Sequence, residues 1–297
     1  MTQIIANGIS LEFEQRGNLT GPAIILVRGL GTQLIDWPEN LLQGLADLGF
    51  RVIVFDNRDV GLSEKLSGVP DLKKVASGEE LPPYTLADMA DDIVGLMDSL
   101  DIGQAHVFAI SMGGMIGQVL AATHGERLLS FFSVMSSSSR RGFPSATPEA
   151  MAILNAEIDP DAGDEAIIAA TARGLEVCGS PGYPTSPAQR LVIARRRFER
   201  NYTPDGVTRQ MAAVIAGGDR LALLASIKVP TLVIHGRDDP LIRLEAGADT
   251  AQSIPGARLE VIAGMGHDLP DALMPKMLEL INEFVNEAVL QTKVSKK

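Results

Sequence analysis

Short apolar runs of strand length recur along the chain: Ala23 to Val27, Arg51 to Phe55, His106 to Ile110, Leu128 to Met135, Thr231 to Ile234 and Leu259 to Ile262. Longer stretches of helical periodicity separate them, and several runs empty into Gly, Asp or Ser. This alternation predicts an α/β fold built on a mostly parallel sheet. Ahead of it, Ile4 to Ile9 and Leu11 to Glu14, with Ala6-Asn7-Gly8 between them, suit an antiparallel lead-in. Leu86, Met89, Ile93, Leu96, Met97 and Leu100 keep the spacing of one helix face, which predicts a helix over Leu86 to Leu100 lying on the sheet. A last helix is expected over Pro270 to Leu290.

Between about Ser139 and Leu221 the strand rhythm breaks. Pro144, Pro148, Pro160 and the Gly179 to Pro184 run punctuate it, and helical stretches occupy Leu191 to Arg200 and Gly206 to Ala216. Roughly eighty residues are too many for a loop, so residues 139–221 are expected to form a helical cap inserted into a core of residues 1–138 and 222–297. A length of 297 residues suits one such α/β unit with an insertion.

Composition narrows the function. With 45% hydrophobic and 21% charged residues the chain is globular rather than disordered. A net charge of -11 argues against nucleic acid or an anionic membrane as partner, since both require basic patches. The single cysteine, Cys178, rules out an internal disulfide. No basic leader followed by an apolar run opens the chain, and no run of roughly eighteen apolar residues occurs in it. A cytoplasmic enzyme acting on a small molecule, as monomer or homodimer, is expected.

The chemistry gathers at strand ends. His106 to Ile116 reads as an apolar strand passing straight into a helix with Ser111 at the junction and the small residues Ala109 and Gly113 two positions either side. In a strand-to-helix elbow the neighbouring backbones pass closely, so bulky groups at those positions would clash. The helix amino terminus then lies beneath the serine oxygen. An N-cap serine would give a similar pattern, so the rest of the site has to decide.

A nucleophilic serine needs a base, and the base an orienting carboxylate. Of four histidines, His106, His124 and His235 suit structural roles. His267 sits in the glycine-rich stretch Gly264-Met265-Gly266-His267-Asp268, directly after the last strand, where open α/β sheets place their ligands. Asp238 and Asp239 both follow the strand Thr231 to Ile234, and spacing does not separate them. Asp239 is preferred because Pro240 fixes it in extended geometry and removes a competing amide. The order Ser111, Asp239, His267 agrees with one known architecture. For the oxyanion, Met112 N–H follows the nucleophile, and Leu30 N–H, in the loop Arg28-Gly29-Leu30-Gly31, is the second candidate, with Gly29 permitting close approach to substrate.

Ala109 to Gly114, Phe55 to Ser63, Thr231 to Pro240 and Gly264 to His267 resemble the α/β-hydrolase superfamily, and the chain looks most like capped esterases of the aclacinomycin methylesterase type. The resemblance implies an eight-stranded, mostly parallel sheet flanked by helices with an inserted helical cap. It also implies a Ser-His-Asp ester hydrolase working through an acyl-enzyme on small to medium acyl or aryl esters, with no metal and no cofactor. Lactonase, carbon-carbon bond hydrolase, perhydrolase and a ligand-binding module that has lost turnover are the alternatives. Two positions depart from the family pattern: Ala109 replaces a glycine, and Arg28 stands where many relatives carry histidine. Asp56 and Arg58 are read as bonding loops. Met211, Val214, Ile215 and Leu175 are candidate cleft lining that helical spacing assigns more readily to cap core, and Arg195, Arg196 and Arg197 are read as solvated surface.

Overall fold

The structure is a computed structural model and describes residues 2–156 and 163–294, which leaves Pro160 outside the described residues. The chain opens with a hairpin, β1 (Thr2–Ala6) and β2 (Ile9–Gly17), turning through Asn7 and Gly8 at φ 49° and 79°. Both central residues have positive φ, as a two-residue hairpin turn with native twist requires. There follow β3 (Ala23–Val27), α1 (Glu39–Asp47), β4 (Arg51–Phe55), α2 (Leu72–Ser77), α3 (Leu86–Ser99), β5 (Ala105–Ile110), α4 (Met112–Thr123) and β6 (Leu128–Val134). Then come α5 (Pro148–Leu154), α6 (Asp164–Val177), α7 (Pro187–Arg200), α8 (Pro204–Gly217) and α9 (Leu221–Leu224), before β7 (Thr231–Gly236), α10 (Leu244–Ser253), β8 (Arg258–Ile262) and α11 (Met274–Val294).

The eight strands form one sheet in the order β1-β2-β4-β3-β5-β6-β7-β8, antiparallel at β1/β2 and β2/β4 and parallel elsewhere. Alternate residues of one strand feed different cores. Ile25 and Val27 of β3 pack with α3 and α4 on one face, while Ile24 and Leu26 pack with α1 and α11 on the other. A strand buried on both faces is mostly apolar, which is why these segments stand out in the sequence. Among the described residues no helix is long and apolar enough to cross a membrane.

The chain leaves β3 towards β4 on one side and then crosses to β5 on the other. The carboxyl ends of β3 and β5 therefore flank the point where strand order reverses, the crevice in which open α/β sheets hold ligands. Helices α5 to α8 fall between β6 and β7 and cover that end. Their own core is small, with Ile168, Ala172 and Ala194 buried and Phe198 against them. Their attachment to the sheet includes buried ion pairs. Arg209 of α8 makes a two-pronged pair with Asp59, Nε to Oδ2 at 2.9 Å and Nη2 to Oδ1 at 2.8 Å, with both side chains almost fully buried.

The reading of the α7 arginines as solvated surface is corrected in part. Arg195 does face outward, pairing with exposed Glu165. Arg197 instead reaches Asp36 at 2.7 Å, Arg200 reaches Asp56 at 2.8 Å, and Arg196 bonds the Ile35 carbonyl. Consecutive residues point different ways on a helix, so one run of arginines serves both solvent and core. Asp56 does bond loops, accepting from Leu34 N–H at 2.7 Å and Leu62 N–H at 2.8 Å, and Arg58 pairs with buried Asp92 at 2.6 Å. Val214 packs against the sheet core, whereas Leu175 lines the cleft.

Arg209→Met leaves Asp59 buried without its paired guanidinium and is expected to cost about 3–5 kcal/mol in urea unfolding. Arg195→Met, at an exposed pair, is expected to cost less than about 1 kcal/mol. Equal costs at the two sites would contradict this account of how the helices are attached.

Candidate active site

Ser111 joins β5 to α4 with φ 54° and ψ -122°, a conformation that costs a non-glycine residue on the order of 1–3 kcal/mol and needs its surroundings to enforce it. Its N–H donates to Val134 O at 3.0 Å, and its carbonyl accepts from Ser136 Oγ at 2.8 Å and Met115 N–H at 3.2 Å. A Cβ on Gly113 would sit 2.4 Å from Val27 O and 2.6 Å from Arg28 O, so the first turn of α4 can lie against the end of β3 only with hydrogen there. Ala109 fits where a glycine is usual because it meets another glycine: a Cβ on Gly117 would lie 3.2 Å from its methyl.

Ser111, Asp239 and His267 are brought together. His267 Nε2 lies 3.0 Å from Ser111 Oγ, and Nδ1 lies 2.7 Å from Asp239 Oδ2. A carboxylate can only accept, so the imidazole proton sits on Nδ1 and the Nε2 lone pair faces the serine hydroxyl. Asp239 is fully buried. Burial alone would raise its pKa, but the His267 and His235 rings and the hydrogen bonds from His267 and Ile242 N–H outweigh this and hold the carboxyl below its usual range.

The two aspartates of the β7 turn have different tasks. Asp239 Oδ1 accepts the N–H groups of Leu241 at 2.9 Å and Ile242 at 2.8 Å, which leaves Oδ2 for the histidine. The Asx turn and the pairing with histidine thus use different oxygens of one carboxylate. Asp238, exposed, accepts Gly264 N–H at 2.8 Å and so braces the loop that carries His267.

The other histidines lie apart from the serine. His106 is buried against Ser130 Oγ at 2.8 Å, with burial pulling its pKa down to about 4, and His124 meets Asp91 at 3.0 Å. His235 is buried beneath Asp239, its Nε2 2.8 Å from Ile242 O and 3.6 Å from Asp239 Oδ2, and burial lowers its pKa so that it stays neutral.

Leu30 N–H and Met112 N–H have no acceptor among the described residues; Met112 follows Ser111 directly, and Leu30 lines the same cleft as Ser111. Gly29 is where the β3 loop passes the serine: a Cβ there would lie 3.0 Å from Ser111 Cβ. Arg28 anchors the loop in place of histidine. Its guanidinium stacks over Trp37 at 4.6 Å and reaches Asp36 O at 3.3 Å and Thr32 Oγ1 at 3.3 Å. Burial brings it down to about 10, with Asp36 opposing the shift and Arg197 adding to it, so it remains charged at neutral pH.

Sequence reasoning missed the grip of the inserted helices on the histidine loop. Cys178 O accepts His267 N–H at 2.8 Å, Ser180 Oγ accepts Gly266 N–H at 2.8 Å, and Gly182 N–H donates to Gly264 O at 2.9 Å. The glycines at 179 and 182 were visible, but the partner loop lies some eighty residues away, and no local pattern reports that pairing. A cleft of about 1770 Å³ opens over Ser111 and His267, with Leu30, Ile167, Leu175 and Val207 among its apolar lining.

Asp268 also lines this cleft, held by the Ser180 hydroxyl. Burial pushes its carboxyl up to about 6, with Asp239 adding to the shift while the Ser180 hydrogen bond and His267 oppose it. An unfolded aspartate titrates near 3.9, so between about pH 4 and 6 the folded chain holds a proton that the unfolded chain has released. Stability from this group therefore falls as pH rises through that window. Asp268→Asn is expected to stabilise the protein by on the order of 1–3 kcal/mol at pH 7 and by close to nothing at pH 4. Urea unfolding at the two pH values checks this, and a difference independent of pH contradicts it.

Comparison with known proteins agrees with this architecture. Residues 22–271 match the alpha/beta hydrolase fold family. The chain is 26% identical over 294 residues to a rhodomycin D methylesterase of Streptomyces sp. (strain C5), covering 91% of this chain and 93% of that protein. Among solved structures, the enol-lactonase from Burkholderia xenovorans LB400 superposes with a TM-score of 0.74 at 24% identity, covering 96% of this chain and 100% of the other. A meta-cleavage product hydrolase from Pseudomonas fluorescens IP01 gives a TM-score of 0.75 at 21% identity, covering 97% and 98%. The chain is a member of the alpha/beta hydrolase fold family.

Proposed function

We propose that this hydrolase cleaves carboxylic esters through an acyl-enzyme intermediate on Ser111. The observation that carries the reading is the continuous chain from Ser111 Oγ through the His267 ring to Asp239, at 3.0 and 2.7 Å. As Ser111 Oγ bonds to the acyl carbon, its proton passes to His267 Nε2, and Asp239 stabilises the imidazolium so formed. The carbonyl oxygen becomes an oxyanion, which Leu30 N–H and Met112 N–H accommodate; one such donor is worth about 10² to 10³ in rate. The carbon-oxygen bond to the alcohol then breaks, and the alkoxide takes the proton from Nε2. Water, deprotonated by His267, attacks the acyl-serine and releases the acid.

An aspartate nucleophile, as in other reactions of this fold, is absent from the elbow, and no step calls for a metal or cofactor. The methylesterase named above supports an ester as substrate. Residues 139–221 serve as the cap whose apolar lining admits the acyl or alcohol group. The cleft exceeds the 300–1,000 Å³ common for small-molecule sites, so its volume does not restrict the substrate to short acyl chains.

A fluorophosphonate probe is expected to add its mass to Ser111 in the wild type and to nothing in Ser111→Ala. Absence of both labelling and turnover of any aryl ester would favour a binding module. Against aryl esters, Ser111→Ala is expected to lower kcat by roughly 10⁶ and Asp239→Asn by about 10⁴. Asp238→Asn is expected to stay within about tenfold of wild type. If Asp238→Asn proves the more damaging of the two aspartate changes, the acid is misassigned.

A further inference from the structure

The loop after β3 carries the Leu30 amide, and the aim of that amide is set by the two peptide units on either side of the Leu30 Cα. The first unit, Gly29–Leu30, holds Gly29 O and Leu30 N–H. In a trans peptide these point in opposite directions, so fixing the carbonyl fixes the N–H. Gly29 O accepts from Thr32 Oγ1 at 2.8 Å and from Thr32 N–H at 3.3 Å. The Thr32 hydroxyl is itself oriented, because Arg28 Nε donates to Thr32 Oγ1 at 3.3 Å and the hydroxyl proton must then go to Gly29 O.

The second unit, Leu30–Gly31, is held from the opposite side. Gly31 N–H donates to Gln210 Oε1 at 2.9 Å. Gln210, fully buried on α8, is locked by its own amide group, which donates to Arg58 O at 2.8 Å. That second bond sets which end of the Gln210 amide faces the loop. Val207, on the same helix, packs against Gly31, and at φ 63° that glycine is held where a side chain would be strained. Arg28 O, at the start of the loop, is tied to the sheet side, accepting from Asn57 Nδ2 at 3.0 Å.

We infer that Thr32, braced by Arg28, and Gln210 are positioning residues that fix the direction of Leu30 N–H towards the oxyanion. This rests on the proposed esterase reading, and it extends that reading to residues which touch no reacting atom. Arg28, which stands where many relatives carry histidine, acts on the loop through the threonine hydroxyl. Gln210 makes the oxyanion loop depend on the seating of α8, so that the amide is aimed only while the inserted helices are docked.

The test compares Thr32→Val, which removes the hydroxyl at nearly constant shape, with Thr32→Ser, which restores it, and adds Gln210→Met. Hydrolysis of p-nitrophenyl acetate and inhibition by phenylboronic acid, whose tetrahedral adduct places an oxygen in the oxyanion position, are measured for each. Both acylation and deacylation pass through an oxyanion. Thr32→Val is therefore expected to lose about tenfold in kcat with KM within about twofold, less than removal of the donor outright. Boronate affinity should fall by the same factor, and Thr32→Ser should return to within about twofold of wild type on both measures. Gln210→Met should match Thr32→Val in kcat and boronate affinity.

Unchanged rates in Thr32→Val overturn the inference, as does a serine variant as slow as the valine variant or a loss that falls entirely on KM. If the wild type is neither labelled by a fluorophosphonate nor active on the ester, the esterase reading falls and this inference with it. Wild-type labelling with unaffected variants overturns the inference alone.

Discussion

The site depends on one constrained residue. Ser111 is held at φ 54° where strand β5 gives way to helix α4, and every neighbour that permits this also shapes the chemistry. The hydrogen bond from Ser111 N–H to Val134 O ties the turn to the adjacent parallel strand. The hydrogen atom of Gly113 lets the helix approach the end of β3, which brings the loop with Gly29 and Leu30 over the serine. The strain, on the order of 1–3 kcal/mol, is small beside the burial of the strands around it, so the sheet can impose it. A serine in relaxed geometry would cap the helix and turn its oxygen to the amides. Here the oxygen points at His267.

The helices inserted between β6 and β7 act on both loops that face Ser111. The 178–182 segment accepts or donates hydrogen bonds along the histidine loop, while Gln33, Asp36 and Asp56 on the sheet side are gripped by residues of α7 and its end. These contacts are polar, many are buried, and several are charged. Such pairs contribute modestly to net stability, yet each has a steep cost when half of it is removed. The result is an attachment that is specific in geometry, because a shifted helix would leave Asp59 or Asp36 without its cation. Cleft shape and site geometry are therefore set by the same contacts.

Much of the fold was legible because strands buried on both faces carry few polar residues to blur them. Ala23–Val27 and Arg51–Phe55 fold over the same residues that the apolar runs delimit. Helix α7 begins four residues before its apolar pattern does, at Pro187, because Ser186 caps a polar first turn. Asp238 and Asp239 could not be separated by spacing: which one meets the histidine is decided by the N–H groups of Leu241 and Ile242, which capture one oxygen of Asp239 and aim the other. Arg197 reads as solvated surface in the sequence because its partner, Asp36, is too distant along the chain to be named from the helix, and the same distance separates Arg200 from Asp56. Thr32 and Gln210 carried no signal at all, since their value lies in the peptide units they hold.

Whether Ser111 forms a covalent bond to the acyl group is the claim on which the account rests. Excess p-nitrophenyl acetate can be mixed with the protein and quenched within milliseconds, and the digested chain read by mass spectrometry. The account predicts a burst of about one nitrophenolate per chain together with an acetyl group on the peptide containing Ser111. Turnover with no acetylated peptide, or with the acetyl group on another residue, would contradict it.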